Sequence, residues 1–244
     1  MNEKISALTD VPWHWEWVPG EVPGEGEEDP WARHVTELFT EWTAEGLDAA
    51  ARQSWAEEVP DDFPLTGEAV GLAIAAWLRE RAAQLPAWSR LAWGAAFLEE
   101  GAPRWAPVPV VVEFHRPEAD DPNYLLELMG AGGAEGDTRP PTVEYVTTLS
   151  GDGFRVFALG RTDDGAAYGR IGAALRLDIP QGADGTDIGV DVLLSTLVFD
   201  MGLMAVIGSG VEQLMQQIAE ESVPQPDGGR ARLAFQAPQN EVRS

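Results

Sequence analysis

Apolar residues recur at two different spacings along this chain, and the change falls near residue 107. Before it the period is mostly helical. Trp31, Val35, Leu38 and Trp42 repeat every three or four residues, which predicts a helix with one core-facing stripe. Asp29 suits its N-cap and Pro30 its first turn. Gly46 should break or bend it, with a second segment running to about Glu58. Beyond the Pro60 and Pro64 loop, Thr66 is the expected N-cap of another helix that buries Val70, Ile74, Trp77 and Leu78. Pro86 should start a further helix with Trp88, Leu91, Ala95 and Leu98 inward, ended by Gly101 and Pro103.

After residue 107 the period becomes two. Val108–His115 reads VPVVVEFH, with Val110, Val112 and Phe114 on one face and Glu113 and His115 on the other. Asp121-Pro122 should cap a short helix through Leu125, Leu126 and Met129, and residues 130–141 read as a Gly-rich connector. Thr142–Leu149 and Phe154–Gly160, joined by Ser150-Gly151-Asp152-Gly153, form a hairpin pattern. Thr162-Asp163-Asp164-Gly165 marks a second turn into a long strand over Tyr168–Ile179, whose Ile171, Ala173, Leu175, Leu177 and Ile179 share a face. A turn at 180–187 leads to Gly189–Phe199, and Leu203–Glu220 then reads as an apolar-faced helix.

Helices first and a contiguous run of strands afterwards predict an α+β fold: a helical region over 29–100 packed on an antiparallel meander of about five strands (108–199), with a C-terminal helix over 202–221. Residues 1–28 read as a flexible acidic arm and 223–244 as a mobile tail, leaving a single domain over 29–222. No repeat of fixed period is visible.

Two compositional features add to this. Ten tryptophans are present, all at or before Trp105, and Trp13, Trp15 and Trp17 alternate with His14, Glu16 and Val18. In an extended run those indoles line one face, either sealing a core or presenting an aromatic strip to a partner. The formal charge is −25, from 41 acids against 16 bases, and it is even: residues 1–107 carry 20 acids and 7 bases, the remainder 21 and 9. Such a charge opposes binding to nucleic acid or anionic lipid, and favours a more basic protein partner. One lysine against fifteen arginines, with abundant Ala and Gly, points to a GC-rich bacterial source. The absence of cysteine excludes disulfides, thiolate metal sites and a cysteine nucleophile. No basic segment followed by an apolar stretch opens the chain, so a cytoplasmic location is expected. Val192–Val211 has the length of a bilayer span, but Asp200 sits mid-way and Gly202 interrupts the period, so a strand followed by a helix is expected there instead.

Candidate chemistry is sparse. The 130–135 run GAGGAE has Glu135 where a dinucleotide loop needs its last glycine, follows a helix, and has Glu127, Glu135 and Asp137 around it to repel phosphate. Ser209 lacks the spacing of a hydrolase elbow. His34, Glu37 and Glu41 share a helix face without the HExxH pattern, and a solvated face is the expected reading, with no metal. Glu113 and His115 point the same way and form a candidate acid–base pair with Asp120 or Asp121. Asp200 is a third weak catalytic candidate if buried, and a turn or N-cap residue otherwise. The tail pattern Arg230-Ala231-Arg232-Leu233-Ala234-Phe235 alternates as a strand would, so Arg230, Arg232 and Phe235 join Trp13, Trp15 and Trp17 as candidate binding residues.

Taken together, these features favour a cofactor-free, non-catalytic protein-binding module: an adaptor, chaperone or assembly component for a more basic protein. Two alternatives remain open. One is an enzyme acting on a small or glycan substrate through Glu113 and His115. The other is a structural subunit that self-assembles as a homo-oligomer.

Overall fold

A computed structural model describes residues 11–20, 24, 27–42, 66–97, 107–181, 186–223 and 233. These residues form a mixed α+β structure, with four α-helices and one seven-stranded antiparallel sheet among them. The strands are β1 (Trp13–Trp17), β2 (Ser89–Ala96), β3 (Val108–His115), β4 (Thr142–Thr148), β5 (Gly151–Arg161), β6 (Ala167–Gln181) and β7 (Thr186–Val198). The helices are α1 (Pro30–Trp42), α2 (Gly67–Ala83), α3 (Tyr124–Leu128) and α4 (Ile207–Glu221), the last preceded by a 3-10 turn over Leu203–Ala205. Sheet order is β1-β2-β3-β7-β6-β5-β4, so β7 is central and β1 and β4 are the edges.

Seven strands replace the five expected, because the run before β3 is not all helical. Ser89–Ala96 was expected in a helix with Trp88, Leu91, Ala95 and Leu98 inward. It is a strand instead, with Leu91, Ala92, Trp93, Ala95 and Ala96 all buried. Covered on both faces, such a strand shows no alternation, and its apolar residues match a helical template equally well. Trp88 is exposed in the preceding turn. Trp13–Trp17, placed by its flanking composition in an arm, pairs with β2 from Trp13↔Ala96 to Trp17↔Ala92. The helices are therefore interspersed among the strands.

Other expectations hold with shifts. Asp29 caps α1, its Oδ1 accepting from the N–H of Trp31 and Ala32, and Thr66 caps α2 by accepting from Ala69 N. The buried stripe of α1 is Trp31, Val35 and Phe39, with Leu38 and Trp42 half-buried. On α2, Val70 and Leu78 are buried whereas Trp77 reaches solvent, where Arg81 stacks on its ring. The first hairpin turns at Leu149-Ser150, two residues early, and Gly165, at φ +88°, completes the second. The segments about Gly46 to Glu58 and Gly101 to Pro103 lie outside the described residues. Residues 192–211 form the end of β7, a turn and the start of the last helix; among the described residues no helix is long and apolar enough to cross a membrane.

The sheet curls around α4. Laid flat, seven strands at about 4.8 Å spacing put the two edges about 29 Å apart. Yet Gln213 of α4 bonds the backbone next to and within β1, and Gln216, one turn along, bonds Thr147 of β4. Side chains three residues apart on a helix are only about 5–6 Å apart at Cβ. Both edges must therefore come round to the same helix. The inner face is closed by α4, whose Val211, Leu214, Met215 and Ile218 are buried against Val110, Val112, Leu175, Val192 and Leu194. The outer face is covered at the β1–β2 end by α1 and α2, and at the β5–β6 end by α3.

Candidate functional site

The strand register decides where each candidate residue points. On β1 the odd positions face inward, so Trp13, Trp15 and Trp17 lie between the sheet and α4. Trp13 and Trp15 stack with ring centroids 5.2 Å apart, and Trp15 is only 8% exposed. Trp17 Nε1 donates to Glu221 Oε2 at 2.7 Å. Two glycines make room for the stack. A Cβ on Gly94 would come 2.5 Å from the Trp15 ring, and one on Gly210 would come 2.4 Å from the Trp13 ring. Of the two readings of the aromatic strip, the structure places it in the core. Gly94→Ala should accordingly destabilise the fold by about 1–3 kcal/mol through overpacking. A thermal melt that leaves the midpoint unchanged would contradict the placement.

The opposite face of β1 carries His14 and Glu16. His14 packs on Trp42 and Trp93, and Glu16 Oε1 meets His34 Nε2 at 3.1 Å. His34 thus reaches β1, while Glu37 and Glu41 line a separate hollow of about 510 Å³ with Thr36, Thr40 and Glu68. Among the described residues no group of three His, Asp or Glu side chains is placed to hold a metal ion. Burial holds the His14 pKa below the ordinary 6.5, with nearby Glu16 opposing the shift and His34 adding to it. Between the lowered folded value and 6.5 the unfolded chain binds more protons, so this contribution to stability is complete above 6.5 and is lost as pH falls through the folded value. Urea midpoints should therefore drop on mild acidification in the wild type and drop less in His14→Gln. Parallel profiles would remove His14 from the account.

Glu113 and His115 do meet, with Nε2 and Oε2 at 3.1 Å on the outer face of β3. Both side chains are more than a third exposed. A second hollow, of about 470 Å³, is lined by residues 17–20, 82–91 in part, and neither hollow includes Glu113 or His115. Asp121 is occupied locally, accepting from Asn123 N. Across the strand from His115 lies Asp191, which belongs to a different cluster. Its carboxylate is 2% exposed and takes a two-pronged contact from Arg176, Nε to Oδ1 at 2.8 Å and Nη2 to Oδ2 at 3.0 Å. Tyr124 Oη also donates to Asp191, and Arg176 Nη1 donates to the carbonyls of Ala119 and Asp120. Burial and the Asp191 carboxylate raise the Tyr124 pKa, while Asp191 raises that of Arg176. Tyr124 and Arg176 are thereby held in their ordinary charge states, and the cluster ties the 116–123 loop and α3 to the sheet.

Of the remaining candidates, those among the described residues have local partners. Asp200 is exposed and its Oδ1 accepts from Gly202 N at 2.7 Å and Leu203 N at 3.3 Å, which makes it a turn residue, not a buried acid. Ser209 Oγ donates to Val206 O, one turn back. Arg170 donates to Met129 O, with Asp137 Oδ2 3.1 Å from its other nitrogen, and pins the Gly-rich loop across β6. Arg230, Arg232 and Phe235 lie outside the described residues, but Leu233 between them is buried in the inner core and its N–H donates to Glu221 O.

What the local pattern concealed is the outside of the sheet. Tyr145 and Leu149, at 78% and 77%, are the most exposed large apolar side chains among the described residues and lie on and just after β4. Leu197 and Phe199 are also more than half exposed, at the end of central strand β7, with Phe199 against Tyr168. Nothing in the sequence around 142–149 distinguishes an edge strand from an inner one; that follows from the strand order alone. Comparison of the chain with family models, with curated proteins and with solved structures gives no match.

Proposed function

We propose that this protein is a non-catalytic protein-binding module, an adaptor, chaperone or assembly component for a more basic partner. The observation that carries the reading is the outward display of Tyr145 and Leu149 beside an edge strand, on a chain of net charge −25. Large apolar side chains held in water beside unpaired backbone are what a protein partner covers. The surrounding negative field accelerates encounter with a basic protein and repels acidic ones. Trp13, Trp15 and Trp17 serve the fold in this reading, and the contact surface moves from them to the outside of the sheet.

The specific contact behind an enzymatic alternative is the Glu113–His115 pair at 3.1 Å. An acid–base pair needs a substrate held against it, and the two hollows described above are lined by other residues. The even negative charge also weighs against self-assembly, since two copies repel.

The reading is tested by affinity purification of the tagged protein at low and high salt. A basic protein recovered in stoichiometric amount at low salt, and released as salt approaches the range where the screening length falls to about 8 Å, is the expected result. Recovery of the protein alone under both conditions contradicts it and turns attention to Glu113 and His115.

A further inference from the structure

We infer that β4 is a strand-addition site for an extended basic segment of a partner protein, one in which arginine or lysine alternates with apolar residues. This rests on the binding reading above and names the surface and the class of ligand.

Backbone geometry comes first. A two-residue loop makes Thr148 and Gly151 a hydrogen-bonded pair, so Val146↔Gly153 and Glu144↔Arg155 are bonded pairs as well. The Thr162 N–H to Ala166 O bond in the next hairpin fixes the same parity from the other side of β5. The N–H and C=O groups of Val143, Tyr145 and Thr147 therefore point away from the sheet. Gln216 Nε2 takes the Thr147 carbonyl at 2.9 Å. Among the described residues, Val143 and Tyr145 are left with an outward donor and acceptor each, two residues apart, which is the repeat of an antiparallel or parallel ladder.

The other edge differs. Gln213 accepts from Trp13 N at 3.2 Å and donates to Val11 O at 3.2 Å, so its amide stands where a neighbouring strand's peptide would. Trp15, the next outward residue of β1, is buried. Edge β1 is thus blocked at its start, while Tyr145 in the middle of β4 is in water. Strand β4 has no proline, lysine or bulge to discourage pairing, and its one charged residue is the inward-facing Glu144.

Side-chain chemistry sets the ligand. On the inner side of β4, Glu144 and Glu212 converge on one cation, Arg155, at 2.8 and 3.0 Å. Arg155 is nearly buried and also donates to Gly208 O, so two half-exposed carboxylates share a single spent positive charge. An incoming strand's inward residues meet this excess negative charge, which selects arginine or lysine. Its outward residues fall beside Tyr145, whose ring rests edge-on against Phe154 with centroids 6.5 Å apart, which selects apolar side chains. A second copy of this chain is a poor occupant, because its own β4 adds another Glu144 carboxylate to the same inner face.

The experiment uses the full chain and two synthetic extended peptides, one alternating arginine with valine and one alternating glutamate with valine. Binding is followed by titration and by amide chemical shifts. The arginine peptide is expected to bind at low salt at least about tenfold more tightly than the glutamate peptide. Its shifts should centre on residues 142–148. Tyr145→Pro removes an outward N–H and the Tyr145 ring but no donor of the β4–β5 ladder, so that ladder and the melting temperature should survive while binding falls about tenfold or more. Equal affinity for both peptides, shifts centred elsewhere, or full binding by folded Tyr145→Pro each overturn the inference. So does concentration-dependent dimerisation in sedimentation that Tyr145→Pro abolishes, which makes a second copy the occupant. If Tyr145→Pro unfolds, Glu144→Gln with Glu212→Gln takes its place: loss of the preference for arginine supports the site, and an unchanged preference overturns it. A basic partner that co-purifies equally with wild type and folded Tyr145→Pro overturns the edge site alone; recovery of no partner removes the binding reading itself.

Discussion

Replacing Trp15 with alanine should lower the free energy of unfolding by about 3–5 kcal/mol, enough to unfold many domains of this size. Trp15 sits over Gly94, stacks on Trp13 and joins the inner cluster beside Val11 and Val108. Truncation removes the indole's apolar area from the core and leaves a cavity that the neighbouring strand cannot fill, because Gly94 offers no side chain. The loss should appear as a large fall in the urea midpoint, accompanied by a smaller change for Trp88→Ala, whose indole is exposed in the turn before β2. Equal and small effects at both positions would mean that the β1 strip is not packed against α4.

A second large effect is expected at Asp191. Its carboxylate is enclosed by Arg176 and Tyr124 within the paired strands β6 and β7, and Arg176 keeps only 17% of its side-chain surface. Asp191→Ala leaves that guanidinium with the Ala119 and Asp120 carbonyls and the Tyr124 hydroxyl oxygen, and leaves the Tyr124 O–H without its acceptor. We expect a cost of about 3 kcal/mol, at the lower end for a broken buried pair because Arg176 retains some contact with water. Replacing both partners by apolar residues of similar size should recover much of the loss, since neither charge is then left unpaired. A double-mutant cycle settles the point: additive effects would show that the two groups do not depend on each other.

Much of the chain's order was readable from periodicity. The N-caps at Asp29 and Thr66, the inward face of β6 and the turn at Thr162–Gly165 rest on local rules, and local rules decide them. Strand β2 was not readable, because Leu91, Ala92, Trp93 and Ala95 are covered on both faces and present no alternation. The fate of the Trp13–Trp17 strip turned on a helix two hundred residues away, which supplies Gly210 and Gln213 to receive it. The same distance hides the candidate site. Thr142–Thr148 was recognisable as a strand, but its place at the edge depends on β7 pairing with β3 and β6, and its charge depends on Glu212 of α4. Glu113 and His115 were read correctly as neighbours, and their surroundings, an outer strand face more than a third exposed and outside the lining of both hollows, could not be read from two positions on one strand.

The most direct measurement is amide hydrogen exchange of the full chain, free and with its co-purified partner. The account predicts added protection at Val143, Tyr145 and Thr147, with exchange across Trp13–Trp17 and Glu113–His115 unchanged. Protection centred on Glu113 and His115, or no change anywhere in the presence of the co-purified protein, would contradict it.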